Sequence, residues 1–303
     1  DNKNLKQLTT EDIKGLLSTF RKLGTQQVLM SGGEALLNPN FFRFCEILKE
    51  HNIRISLLST GLTLKKNAAR LVQHVQDIII SLDGDEETHN LIRNIPGAFK
   101  MLGEGIAEIR SMDPGFQISG RTVIHRLNYR RWKAIISSAR DMGLNHISFL
   151  PADTSSHAFN REVLWSEQRQ SEILPSETEL VELEMILEEL ILVYHKEFEN
   201  GFIAEPPGKL RKIAQYYGAI HGRNPFPYKK CNAPWVSTVV EADGTVRPCF
   251  FHEAIGNIRQ EGLENILNGP EAIRFRKELD VYTNPTCVKC VCYLHLPAGT
   301  KMN

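Results

Sequence analysis

Five of the six cysteines stand after residue 230, and their spacing is typical of metal ligands. Cys287 and Cys290 are separated by two residues, which lets both thiolates face one centre. A disulfide framework would spread its cysteines along the chain, whereas these are clustered. The predicted ligands are Cys231, Cys249, Cys287, Cys290 and Cys292. This spacing leaves two alternatives open, a structural zinc site and an iron-sulfur cluster.

A second candidate for chemistry is the turn Gly32-Gly33-Glu34, directly after the apolar run 28–30. Two residues without a β-carbon let backbone approach a ligand closely, and Glu34 offers acceptors to an ammonium group. The alternative is an ordinary strand-to-helix turn with a solvated glutamate, since short glycine motifs are weak signals.

Further polar residues follow other predicted strands. Arg93 lies in a predicted loop after Asp83-Gly84, and a guanidinium folded back towards Ser81 could bind a carboxylate in a bidentate manner. Ser59 ends another strand, with a helix cap as the alternative role. Arg121 and Asp153 are candidates for substrate contact or proton transfer, although both residues could instead close ordinary ion pairs.

Regular alternation of strands and helices must position these residues. A parallel sheet with right-handed connections is expected, with its ligand groups at the carboxyl ends of the strands. The predicted strands are 28–31, 53–59, 77–82, 116–125 and 146–150. The predicted helices between and around them begin after Thr9 or Thr10 and then span 41–51, 65–74, 98–112 and 129–142.

The periodicity changes after Asp153. Residues 154–170 are polar and are predicted to form a lid or substrate loop. Helices are expected over 176–199 and 210–220, and the sequence around Ala242-Asp243-Gly244 predicts a β-hairpin. One further helix is predicted over 262–279, and Cys45 is expected to be a buried core thiol.

Composition excludes some partner classes. The 303 residues include 36 Lys and Arg and 36 Asp and Glu, so net charge favours neither nucleic acid nor a membrane surface as partner. The apolar runs are too short for a transmembrane helix, and we expect a cytoplasmic protein.

Taken together, these motifs resemble the radical S-adenosylmethionine (SAM) superfamily. The resemblance covers residues 9 to about 150 and rests on the turn 31–34, Ser59-Thr60-Gly61, Ser81-Leu82-Asp83-Gly84, His89, Arg93 and Gly97-Ala98-Phe99. The later spacing Cys231-x12-Gly244-x4-Cys249, followed by Cys287-x2-Cys290, resembles the auxiliary-cluster module called SPASM or, with one cluster, twitch.

This resemblance implies an α/β fold, namely a partial (β/α)6 TIM-like barrel with a small C-terminal β-hairpin and helix domain for cluster binding. Gly32, Gly33 and Glu34 would face the amino group of SAM, Ser81 and Arg93 its carboxylate or ribose, and Ser59 would lie nearby. The implied cofactors are SAM, a catalytic [4Fe-4S] cluster and one auxiliary [4Fe-4S] cluster. Cys231, Cys249, Cys287 and Cys290 would hold the auxiliary cluster, with Cys292 as an alternative ligand or free thiol.

The Cys-x3-Cys-x2-Cys motif that defines the family is absent from these residues. Its usual place is the loop after the first barrel strand, before a helix like the one that opens this chain. We therefore expect the first strand and the cluster loop to precede the given segment, so that the catalytic cluster's ligands lie outside it.

The predicted domains are a radical SAM barrel over 1–150, lid and linker helices over 151–230 and an auxiliary-cluster domain over 231–303. The predicted enzyme cleaves SAM to a 5'-deoxyadenosyl radical and oxidises or cross-links a small metabolite or a ribosomal peptide. An electron donor such as flavodoxin or ferredoxin is implied. The alternative is a non-catalytic α/β scaffold with a structural zinc site made of four cysteines.

Overall fold

The computed structural model describes residues 7–158, 161, 163–297 and 299–301. The chain divides into two compact units. Unit 1 comprises Asp1–Leu57, Ser156–Val163 and Tyr228–Asn303, and unit 2 comprises Leu58–Ser155 and Leu164–Pro227.

Unit 1 opens on an amphipathic helix that both ends of its sequence specify. Thr9 and Asp12 form a capping box at its start, and Gly24 ends it with a φ of 64°, a left-handed conformation that glycine adopts readily. The elements that follow are short and lie close in sequence. In chain order they are α1 (Thr10–Leu23), β1 (Gln27–Met30), a 3-10 helix (Ala35–Leu37), α2 (Phe41–Glu50) and β2 (Arg54–Ser59), whose last two residues belong to unit 2.

β1 and β2 are parallel, with Gln27 opposite Arg54 and Met30 opposite Leu57. Helix α2 buries an aromatic and aliphatic face that includes Phe41, Phe44 and Cys45. The prediction of a buried core thiol at Cys45 is therefore confirmed.

Unit 2 continues the strand-helix alternation. Its elements are α3 (Leu64–His74), β3 (Asp77–Ser81), α4 (Glu86–Arg93), α5 (Ala98–Met112), β4 (Gln117–Ile124), a 3-10 helix (Tyr129–Arg131), α6 (Trp132–Asp141), β5 (His146–Pro151), α7 (Glu167–Ile173), α8 (Glu177–Val193), α9 (His195–Glu199) and α10 (Pro207–Ile220). β3, β4 and β5 pair in parallel. The α/β class and a parallel sheet of five strands, in the order β1-β2-β3-β4-β5, are confirmed.

The outer edge of β5 is covered by the segment that follows α9. Ile147 donates its N–H to Phe202 at 2.8 Å, and Ala204 donates to Ile147 at 2.9 Å. Phe149 donates its N–H to the buried Glu205 carboxylate at 3.0 Å. These bonds satisfy edge groups that would otherwise be buried without partners.

The C-terminal part of unit 1 combines a small antiparallel sheet with short helices. The elements are α11 (Ala233–Val236), β6 (Val239–Val240), β7 (Thr245–Arg247), β8 (Gly256–Asn257), α12 (Leu263–Asn268), α13 (Pro270–Glu278) and α14 (Pro285–Val288). The expected antiparallel pair is present, since Val239 lies opposite Arg247. β8 adds a third strand that the sequence pattern did not predict.

Four secondary-structure predictions were wrong in part. The single helix predicted over 176–199 is divided at Tyr194 into α8 and α9. The expected loop after Asp83 contains α4, because Asp85 caps a helix there by accepting from Thr88 N–H at 3.1 Å. The single helix predicted over 262–279 is split at Gly269-Pro270, where proline cannot donate to the preceding turn. The polar stretch 154–170 runs into α7, whose N-cap is Ser166.

Across the described part of the chain, no helix combines the length and apolarity needed to cross a bilayer.

Candidate functional site

The turn after β1 has the backbone freedom that its sequence indicates. Gly32 has a φ of 135°, a conformation in which a side chain would be strained, and a β-carbon added to Gly32 or Gly33 would meet no atom within 4 Å. Glu34 caps the 3-10 helix, since its Oε1 accepts the N–H of Leu36 at 3.3 Å. The turn therefore presents open backbone together with a carboxylate whose position is held locally.

In unit 2, Ser81 ends β3 and stands in register with polar residues of the next two strands. Ser81 lies opposite Arg121 on β4, and Arg121 lies opposite Ser148 on β5. Side chains that are opposite each other in neighbouring strands share a sheet face. Arg121 Nε donates to Ser148 Oγ at 3.3 Å, so these three residues form one polar row.

Arg93 pairs with a carboxylate that was not foreseen as its partner. Its Nε donates to Asp83 Oδ2 at 2.5 Å, with the Asp83 side chain only 5% exposed and that of Arg93 27% exposed. To bind a ligand carboxylate together with Ser81, Arg93 would have to use the guanidinium nitrogens that do not contact Asp83.

His89 also contacts Asp83 and is fully buried. Its Nδ1 accepts the backbone N–H of Asp83 at 3.2 Å and is 3.6 Å from Asp83 Oδ2. Burial lowers the pKa of His89 to about 4, with Asp83 raising it and Arg93 lowering it further. A neutral imidazole with Nδ1 as acceptor carries its proton on Nε2, which has no hydrogen-bond partner among the described residues.

The end of β3 is also fixed by Asn128, which is fully buried. Its amide nitrogen donates to the carbonyl oxygens of Asp83 at 3.1 Å and Val123 at 3.0 Å. Its amide oxygen accepts from His125 N–H at 2.9 Å. Asn128 thus joins the ends of β3 and β4, which holds the Asp83 backbone in place.

The remaining candidates of unit 2 lie in separate settings. Ser59 is buried, and its Oγ accepts from Gly61 N–H at 3.0 Å in the turn before α3; the N-cap of α3 is Thr63, so Ser59 does not cap that helix. Asp153 accepts from Ser155 N–H at 3.2 Å. Glu205, whose pKa is raised by burial despite the nearby charges of Lys209 and Arg121, is a buried carboxyl near the polar row that sequence reasoning missed.

In unit 1, the five late cysteines form one electrostatically linked group. Burial raises the pKa of Cys249, and the nearby Cys231 and Cys292 raise it further. The pKa of Cys287 is raised in the same way, by burial and by the nearby Cys249 and Cys231. Burial raises the pKa of Cys287 to about 11 and that of Cys290 to about 12, with Cys292 adding repulsion at Cys290. The fold therefore gathers thiols that are up to 61 residues apart in sequence.

Hydrogen-bond donors surround these thiols. The backbone N–H groups of Phe251 and His252 lower the pKa of the Cys249 thiol, and that of Cys292 lowers the pKa of the Cys290 thiol, both against the larger effect of burial. The His252 Nε2 lies 3.3 Å from Cys287 Sγ. Sequence reasoning missed His252, although it stands three residues after Cys249.

A donor set of cysteine thiols is suited both to zinc and to an iron-sulfur cluster. Within the described ranges, no three His, Cys, Asp or Glu side chains are arranged to hold one metal ion. A tetrahedral zinc site needs four ligands that converge on one point, whereas an iron-sulfur cluster distributes its cysteines over several irons. Thiolate donors with N–H groups directed at the sulfurs are the chemistry that such clusters require.

Two protein-family models match the chain. The radical SAM superfamily model matches residues 1–151, and a model of the SPASM iron-sulfur cluster-binding domain matches residues 231–291. The second match includes Cys231, Cys249, Cys287 and Cys290 and stops one residue before Cys292.

Individual proteins resemble the chain over different lengths. An AdoMet-dependent heme synthase of Methanosarcina barkeri is 29% identical over 149 residues, which are 48% of this chain and 42% of that protein. A PqqA peptide cyclase of Gluconobacter oxydans is 22% identical over 263 residues, 86% of this chain and 66% of that protein. The chain thus spans less than half the length of the first relative and about two thirds of the second.

The fold is similar to that of SuiB of Streptococcus suis, solved in complex with its precursor peptide SuiA, with a TM-score of 0.55 at 12% identity over 92% of this chain and 62% of that one. The radical SAM superfamily and its SPASM domain use SAM and [4Fe-4S] clusters, in agreement with the cofactors expected from the sequence. The chain belongs to the radical SAM superfamily and carries a SPASM iron-sulfur cluster-binding domain at residues 231–291.

Proposed function

We propose that this chain is part of a radical SAM enzyme that abstracts hydrogen from a substrate and transfers an electron through an auxiliary cluster. The observation that carries the proposal is the linked group of five thiols inside a chain whose first half matches the radical SAM model. When bound, SAM and its cluster supply the radical that breaks the substrate's C–H bond. The chain's own residues would bind SAM and the substrate, orient them and exclude water from the site.

The SAM site would use the turn after β1 for the amino end. Open backbone at Gly32 and Gly33 would approach the ligand, and the Glu34 carboxylate would accept from its ammonium group. The carboxylate end would bind at Ser81 with an arginine from unit 2. Arg121 is the stronger candidate, since it shares the Ser81 row, whereas Arg93 already neutralises Asp83.

The auxiliary cluster would be held by Cys231, Cys249, Cys287 and Cys290, as the extent of the SPASM match supports. Cys292 would remain an alternative ligand. Lys229 would fix the Cys287-x2-Cys290 loop, because its ammonium group donates to the carbonyl oxygens of Val288 at 2.7 Å and Cys290 at 2.5 Å. A partial (β/α)6 barrel, the domain bounds 1–150, 151–230 and 231–303, a cytoplasmic location and a flavodoxin-type or ferredoxin-type electron donor belong to the same proposal.

SAM binding by the anaerobically reconstituted product of the complete gene tests this site. Glu34→Gln, Ser81→Ala and Arg121→Met should each weaken binding about 10- to 100-fold, which corresponds to about 1.5–3 kcal/mol for a charge-assisted hydrogen bond. Glu46→Gln, which breaks an exposed pair with Arg43, is the matched control and should leave binding unchanged. Wild-type affinity in all three site variants would overturn the assignment of these residues to SAM.

Metal analysis of the same preparation tests the auxiliary site. About four irons and four sulfides per auxiliary site should be lost in Cys287→Ser and Cys290→Ser. They should be retained in Cys45→Ser, since Cys45 is a buried residue of the α2 core. Stoichiometric zinc with no iron would instead support the non-catalytic scaffold.

The substrate is proposed to be a peptide or a small metabolite, and the relatives include a peptide cyclase and a heme synthase. Oxidation or cross-linking of a substrate of either class would be suited to a second redox centre. Incubating the reconstituted enzyme with short peptides encoded beside its gene, and separately with iron porphyrin precursors, distinguishes the two classes. A mass loss of two hydrogens in a peptide indicates oxidation or cross-linking.

A further inference from the structure

His252 contacts both halves of the cysteine group, one through its backbone and the other through its side chain. Its backbone N–H donates to the carbonyl oxygen of Cys249 at 3.4 Å, and Cys249 follows β7. Its imidazole Nε2 lies 3.3 Å from the sulfur of Cys287, which belongs to α14. One residue thus contacts two cysteines that are 38 positions apart in sequence.

The ring and the backbone of His252 are both held in place, and so is Cys287. Phe275 of α13 packs edge-on against it, with ring centroids 4.9 Å apart and an interplanar angle of 69°. Arg247 donates to the His252 carbonyl oxygen at 3.0 Å and is itself fixed by Glu241 at 2.6 Å. On the other side, Cys287 N–H donates to the Asn284 side chain at 3.2 Å. The short contact is therefore defined by packing on both partners.

The direction of this hydrogen bond follows from the chemistry of a ligating cysteine. A sulfur bound to iron carries no proton and can only accept. The contact then persists only with the proton on Nε2, so that His252 is the donor.

We infer that His252 is a positioning residue that donates an N–H hydrogen bond to the Cys287 sulfur and thereby raises the reduction potential of the auxiliary cluster. This inference rests on the proposed iron-sulfur cluster at the five-cysteine group. Reduction adds negative charge to the cluster, and donors directed at its sulfurs stabilise that charge. Because this side-chain donor lies 3.3 Å from the Cys287 sulfur, its removal should be measurable.

The experiment is an EPR-monitored redox titration of the reconstituted chain. His252→Phe keeps a ring against Phe275 and removes the donor, whereas His252→Gln retains an N–H donor. The reduction equilibrium should become about tenfold less favourable in His252→Phe, a shift of about 59 mV to lower potential for a one-electron couple. His252→Gln should recover most of this shift. His195→Phe, at an exposed residue of α9 in unit 2, is the control and should titrate like wild type.

Each outcome decides the inference. An intact cluster with unchanged potential in His252→Phe overturns it while leaving the proposed function in place. If His252→Phe loses the cluster, recovery of cluster and potential in His252→Gln supports the inference, and loss in both variants overturns it in favour of a packing role. A wild-type chain that holds no cluster overturns both the inference and the proposed auxiliary site.

Discussion

Asp83 determines what the neighbouring charged residues can do. Its carboxylate is almost fully buried, accepts from Arg93 and lies 3.6 Å from His89. A buried carboxylate needs such partners, because burial without them would cost several kcal/mol. Arg93 is therefore first a stabilising partner of Asp83, and any contact that it makes with a ligand comes in addition.

The first prediction concerns this ion pair. Asp83→Asn should lower the free energy of unfolding by about 2–3 kcal/mol, since it removes a charge-assisted hydrogen bond and leaves Arg93 Nε without a charged acceptor. Urea unfolding measures the change. The control is Glu104→Gln, which breaks a pair with Lys65 whose side chains are 41% and 59% exposed, and it should cost about 1 kcal/mol or less. Equal losses in the two variants would contradict the structural role of Asp83.

The second prediction concerns pH. His89 has a folded pKa of about 4 against 6.5 for the free side chain, so between these values the unfolded chain binds a proton that the native chain does not. Stability should therefore fall as pH is lowered from 6.5 to about 4, by on the order of 3 kcal/mol from this residue. His89→Asn keeps an acceptor for Asp83 N–H but does not titrate.

Urea unfolding of both proteins across this range isolates the effect, because all other titrating groups are common to them. The wild-type curve should be the steeper one. Parallel curves for wild type and His89→Asn would show that native His89 takes up its proton as readily as the unfolded chain.

At the scale of elements, α4 depends on its cap. The segment after Asp83 contains Gly84 and polar residues, which favoured a loop, but Asp85 accepts from Thr88 N–H and two glutamates occupy the first turn. Negative charge at a helix N-terminus and a side-chain cap both stabilise a helix of this length. This helix carries His89 and Arg93, so its formation sets their positions.

The third prediction tests that cap. Asp85→Ala should lower the free energy of unfolding by about 1 kcal/mol, whereas Asp85→Ser should lose less because it keeps a capping oxygen while removing the charge near Arg131. Thermal or urea unfolding of the two variants distinguishes capping from charge. A loss in Asp85→Ser equal to that in Asp85→Ala would assign the effect to the Arg131 pair.

At the scale of the whole molecule, the cysteine group would join distant parts of unit 1. Cys231 and Cys290 are separated by 59 positions, and a cluster that binds both restricts the chain between them. Metal binding to the folded state alone stabilises that state.

The fourth prediction is that cluster assembly slows amide hydrogen exchange at least about tenfold between residues 231 and 292, whereas α3, α5 and α8 of unit 2 exchange at similar rates with and without iron. Hydrogen exchange measured by mass spectrometry, on reduced samples with and without reconstitution, gives both rates. Cys287→Ser treated in the same way is the control and should gain no protection. Protection spread evenly over both units would contradict a cluster confined to unit 1.

The extent to which sequence predicted the fold varies with the kind of interaction. The five strands were placed to within about two residues, because apolar runs and their flanking glycines are local signals. Gly269-Pro270 is a helix-breaking pair that the sequence shows, but the apolar periodicity on both sides of it favoured one continuous helix. For the candidate site, residue types were identified more readily than their partners.

The sequence by itself determined the superfamily and the five parallel strands, and it predicted which cysteines bind metal, since each depends on residue type and short-range spacing. Only the tertiary structure decided that Arg93 meets Asp83, ten positions away, and that His252 meets Cys287, 35 positions away. The physical reason is that a hydrogen bond depends on distances of about 3 Å between atoms. Such distances arise only when helices and strands pack, and no local pattern in the chain records them.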